Sequence, residues 1–181
     1  MDEQQAYRQL RDRLLPAAIA AWIGYVVLDF LLHGVFLASW WRATERYWLP
    51  PRELFRLIPL SYAAFAIYCG AVTWLLARLY GARLKLVTGL GFGAVAGVVT
   101  GVASVLAVYS VFRVPRLALL VWPISVAVES TIAGAVAAWT LIAGRPWRRA
   151  GLVFGVAVIF LILGVVVQNL LLPTPADHVL Q

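Results

Sequence analysis

The sequence predicts an all-α, polytopic transmembrane bundle of five helices, and three observations lead there. Hydrophobic residues make up 63% of the 181-residue chain and charged residues only 13%, roughly half the ~25% of a soluble domain. Mean hydropathy is +0.88. The apolar residues gather into five runs, at 14–41, 55–80, 86–112, 117–143 and 150–172, each exceeding the ~20 residues that a helix needs to cross the hydrocarbon core. Unpaired backbone groups are not tolerated in lipid, so only helices and closed barrels can span it, and these runs are far longer than barrel strands of about 9–11 residues. The connections are short, so a single transmembrane domain over 1–181 with no soluble domain is expected.

In the first run, the apolar part is about twice the length of a secretion signal and no small-residue cleavage pattern follows, which predicts an uncleaved first span. Asp29 and His33 interrupt it. On a regular helix Trp22, Tyr25, Asp29, His33, Phe36 and Trp40 form one stripe, expected to face the bundle. The connection that follows carries Trp40, Trp41, Tyr47 and Trp48, an aromatic belt of the kind that sits at headgroup level. Pro50 and Pro51, with Glu53 close behind, mark the start of the second helix. Its Tyr62, Phe65, Cys69 and Thr73 can meet the stripe of the first. Cys69 is the single cysteine, which excludes an internal disulfide and a cysteine-based metal site, and it reads as a small core residue.

The third run carries Gly89, Gly93, Gly97 and Gly101 at a strict spacing of four. Each step of four turns a helix by about 40°, so the glycines form a slowly winding groove free of side chains. This glycine zipper is a close-packing device for a neighbouring helix. Ser130, Gly134 and Ala138 in the fourth run and Gly151 and Gly155 in the fifth are possible complements. A nucleotide-binding reading of Gly89–Gly93 fails, because no strand precedes it. Pro123 in the fourth run removes one backbone hydrogen bond, frees the Leu119 carbonyl and predicts a kink before Glu129. Gln168 and Asn169 read as polar groups nearing the membrane surface at the end of the fifth.

The net charge of +7 comes from basic residues at the ends of the apolar runs, with no dense patch for nucleic acid. An N-terminus on the cytoplasmic side places nine of the fifteen basic residues inside and six outside. The positive-inside rule therefore favours a cytoplasmic N-terminus and an external C-terminus in a bacterial inner membrane.

An ionisable residue at bilayer depth costs about 2.5–3.5 kcal/mol on insertion scales and is a functional candidate by default. Asp29 and Glu129 each lie within two residues of the midpoint of their runs, hence at similar depth, and His33 lies one turn beyond Asp29. The three are expected to converge as a proton or cation site or as a buried polar network. His33 is also a possible axial ligand to haem or chlorophyll, although a bis-histidine haem lacks its second partner, since His178 lies in the tail beyond Pro173 and Pro175. No nucleophile elbow accompanies Ser104, Ser125 or Ser130, and too few ligands are present for a zinc or diiron hydrolase, so no catalytic residue and no metal set is assigned.

An acid in the first run, a glycine-spaced third run ending in Tyr109, then Trp122 and Glu129 in the fourth, together resemble small bacterial multi-pass membrane proteins classed as domains of unknown function. The resemblance covers roughly the first 140 residues and implies the architecture, with no activity to carry over. Two functions are expected on the residues alone. The first is a non-catalytic subunit or assembly factor of a larger membrane complex, partnered by other subunits or by a second copy. The alternative is a small proton- or cation-coupled transporter using Asp29, His33 and Glu129.

Overall fold

The structure, a computed structural model, describes residues 3–171, with side chains for residues 12–170 apart from that of residue 51. His178, Pro173 and Pro175 lie outside the described residues. No strand occurs among those described, and five helices are long and apolar enough to cross a membrane. The long elements are α1 (Glu3–Asp29), α3 (Pro51–Tyr80), α4 (Leu86–Val111), α5 (Ala118–Leu141) and α6 (Pro146–Leu171). A π-helical segment (Phe30–Phe36) and a short α2 (Ala38–Ala43) follow α1.

The first apolar run is therefore not one regular helix. After Asp29 the winding loosens, and the Leu37 amide reaches back five residues to the Leu32 carbonyl at 2.7 Å. The wider turn rotates everything beyond it off the expected stripe. Tyr25 stays inside at 3% exposure, but Phe36 turns outward at 74%. The other boundaries follow the residues that signal them. Pro51 opens α3 with Glu53 in its first turn, and Gly81, at φ 49°, ends it in a left-handed conformation that suits a residue without a Cβ. Pro123 lies inside an unbroken α5.

α1 is the central helix, packed against α3, α5 and α6, while α4 rests almost entirely on α5. The core lies among α1, α3 and α5, built on Ala17, Ala21, Tyr25, Cys69, Leu76 and Ala137. Small residues let these backbones approach, the main source of helix association where lipid supplies no hydrophobic drive. Gly89, Gly93, Gly97 and Gly101 of α4 are buried in the α4–α5 seam. A Cβ on Gly97 would stand 2.7 Å from the Ala127 Cα and the Ser130 Cβ, and one on Gly101 would stand 2.8 Å from the Pro123 Cα. At Gly89 and Gly93 it would overlap the Gly134 and Ser130 carbonyls. Ser130, Gly134 and Ala138 are thus the complements in contact with α4. Gly151 and Gly155 are not: both are exposed, with nothing within 4 Å of a Cβ. The fifth-run glycine that does pack is Gly164, whose Cβ position lies 2.7 Å from the Phe30 ring and 3.0 Å from Leu31.

Candidate functional site

Three ionisable side chains meet where α1 passes into the π segment and faces α5. Asp29 is the last residue of α1, His33 lies within the π segment, and Glu129 stands at mid-length on α5. His33 Nε2 is 3.2 Å from Glu129 Oε1 and 3.9 Å from Asp29 Oδ1. One potential ligand atom from each residue lies within 4.8 Å of the others. The depth arithmetic on the sequence anticipates this convergence. Exposure is unequal: the Glu129 side chain is 2% accessible and those of Asp29 and His33 25% each, so exchange with the surroundings passes through the latter two.

The residue that sequence reasoning missed is Trp41. Read as part of the headgroup belt, it instead reaches back over the π turn, and its indole Nε1–H donates to His33 Nδ1 at 3.0 Å. An indole N–H can only donate, so Nδ1 must present a lone pair, and the neutral imidazole then carries its proton on Nε2. That nitrogen is the one nearer the two carboxyls. Glu129 Oε1 is buried and completes no hydrogen bond of good geometry.

The same contact weighs against a ligated metal. Binding a cation, haem iron or chlorophyll magnesium at Nε2 requires the lone pair there and sends the proton to Nδ1, where it would face the Trp41 N–H head on. Ligating histidines ordinarily donate their second nitrogen to an acceptor, and here that nitrogen meets a donor.

The surroundings divide into a polar floor and an aromatic roof. Tyr25 faces Glu129 through its hydroxyl and packs its ring on Phe65 at 4.8 Å. Tyr68, not among the α3 residues expected here, donates to Ser130 Oγ at 2.9 Å, beside Glu129, and Trp22 donates to the Tyr62 carbonyl at 3.0 Å. Thr73, expected to meet the α1 stripe, is buried with its hydroxyl unpaired among the described residues. On the other side, Trp41 stacks edgewise on His33 at 5.4 Å, Trp40 at 4.7 Å and Trp48 at 4.8 Å. Thr44 ties this cluster together, accepting from Trp48 Nε1 at 3.0 Å and donating to the Trp40 carbonyl at 3.0 Å. Of the serines considered as nucleophiles, Ser104 is bonded to the Gly101 carbonyl at 3.1 Å and Ser130 is held by Tyr68, so neither faces a base.

Comparison with known protein families, with curated proteins and with solved structures found no match to this chain. The functional reading therefore rests on the site itself.

Proposed function

We propose that this chain is a small proton-coupled transporter of the bacterial cytoplasmic membrane, with its N-terminus cytoplasmic and its C-terminus external. The observation that carries the reading is the hydrogen bond from Trp41 to His33, which leaves the ring's other nitrogen as its proton carrier on the side of Asp29 and Glu129. Both carboxyls face the same ring nitrogen, so the imidazole does not pass a proton through its ring. It acts as a pivot that stabilises whichever carboxyl is ionised while the other holds the proton. Asp29, partly accessible, exchanges that proton, and Glu129, sealed against α5, stores it. Movement of α5 against the π segment would couple proton position to helix position.

The test is proton flux into liposomes containing the purified chain, read with an entrapped pH dye under a potassium-valinomycin potential. Flux above that of empty liposomes is expected, with at least a tenfold loss in Asp29→Asn and Glu129→Gln. Wild-type flux equal to empty liposomes would end the proposal.

A second reading, a non-catalytic subunit or assembly factor, is favoured by the start of α3. From Arg52 to Ala64 that helix is exposed at nearly every position, and Leu54, Phe55 and Leu60 stand out at 51, 76 and 69%. This end of a 30-residue helix, about 45 Å long, exceeds the ~30 Å hydrocarbon core and offers a surface to a partner protein. Mild-detergent purification from native membranes separates the two: a stoichiometric companion lost on Phe55→Ala supports the subunit, and a lone chain supports the transporter.

A further inference from the structure

Away from the ionisable trio, α6 leans on α1 and the π segment but scarcely touches α5, and a cleft of about 460 Å³ is left between the three helices. Its wall contains no charged or hydroxyl side chain. Val27 and Ala157 form a buried floor, and Ile132, Leu152, Val156 and Phe160 stand exposed along the rim, so the cleft opens sideways toward the bilayer. From Leu152 to Phe160 it follows α6 for about 12 Å, the length of a good part of one acyl chain.

The end of the cleft where α6 begins is closed by Trp139, and this end is basic. Arg149 lies 4.5 Å over the Trp139 ring and donates to the Trp139 carbonyl. Arg13 of α1 donates to the Leu141 carbonyl at 3.2 Å, two residues further along α5. Each guanidinium has five N–H donors and uses one here, so both retain donors for a phosphate oxygen. Among the described residues neither pairs with a carboxylate. Arg145 and Arg148 stand exposed on the same turn.

We infer that this cleft binds one anionic phospholipid, its acyl chain between α5 and α6 and its phosphate on Arg149 and Arg13. Charge complementarity selects the occupant: a wholly apolar slot would take any chain, and arginines at its mouth distinguish an anionic headgroup from a zwitterionic one. The lipid replaces the missing α5–α6 contact and so fastens α6, which itself carries Gly164 against Phe30 in the π segment. Lipid occupancy thereby supports the segment that holds His33.

Native mass spectrometry of the purified full chain, titrated with equal amounts of phosphatidylglycerol and phosphatidylcholine, tests this. Wild type should retain a single phosphatidylglycerol with about fivefold or greater preference, the order of attraction of one basic residue for an anionic surface. Arg149→Gln should lower the preference severalfold while leaving the chain folded, and Arg149→Gln with Arg13→Gln should bring it to within twofold. Val156→Phe, a rim substitution that fills the slot, should lower retention of both lipids with the arginines intact. Equal retention of the two lipids by wild type would overturn the inference, as would undiminished retention in Val156→Phe. Displacement of the lipid by millimolar inorganic phosphate would identify a free-anion site instead, and a lipid-free dimer would mean that a second copy fills the cleft; either result rejects it.

Discussion

Replacing Gly93 with alanine should detach α4 from α5, and the size of the effect can be worked from the seam. The added Cβ would overlap the Ser130 carbonyl oxygen and lie 3.0 Å from the Ser130 carbonyl carbon and the Thr131 Cα. Carbon atoms pack best at about 3.5–4.0 Å, so the helices must part by about 0.5–1 Å. A gap of that size forfeits roughly a quarter to a half of each dispersion contact across the seam. The obstructing atoms are backbone and cannot swing aside, which places the cost toward the upper end of the ~1–3 kcal/mol typical of overpacking. Alanine also gains about 1 kcal/mol over glycine in helix propensity. Gly91→Ala supplies the control, because a Cβ there meets nothing within 4 Å. The propensity gain cancels in the comparison, so Gly93→Ala should be less stable than Gly91→Ala by about 2–3 kcal/mol. Reversible unfolding in mixed micelles, followed by far-UV circular dichroism, measures the difference. A gap below about 0.5 kcal/mol would show that α4 is not held by backbone contact, and the packing argument would fall.

Three further outcomes follow from contacts around the site. Trp41→Phe removes the donor from His33 Nδ1 and lets the proton move there, so Zn²⁺ should bind about tenfold or more tightly than to wild type by calorimetry; equally tight wild-type binding that disappears in His33→Ala would refute the tautomer assignment. Tyr68→Phe breaks the 2.9 Å bond to Ser130 and should cost about 0.6 kcal/mol, with a double-mutant cycle against Ser130→Ala showing coupling of that order. Thr140 is fully buried with its hydroxyl unpaired among the described residues, so Thr140→Val should raise stability by about 1 kcal/mol, and a lowered unfolding midpoint would contradict the unpaired assignment.

Hydropathy and spacing suffice for the five spans, since insertion in lipid demands long apolar runs and little else. They also suffice for the meeting of Asp29, His33 and Glu129, because depth is counted in residues and buried charge has few places to go. The partners of the glycines were only half legible. Ser130, Gly134 and Ala138 face α4, but Gly151 and Gly155 have the same small size and face lipid. An apolar helix in a membrane carries no hydropathy contrast between its packed and lipid-facing sides, so pattern alone cannot choose between them. Trp41 was missed for a different reason. A stripe drawn at 3.6 residues per turn assumes unbroken winding, and the π turn after Asp29 violates it, sending Phe36 outward and bringing Trp41 onto His33.

That turn makes the chemistry of His33 depend on how many residues are wound there as much as on which ones. A π turn takes up about one residue more than an α-helical turn, so winding these seven residues as ordinary helix would swing the chain beyond them by about 100°. The indole would then leave the imidazole although every named side chain remained, so a change that forces regular winding here should damage the site more than most changes of side chain within it.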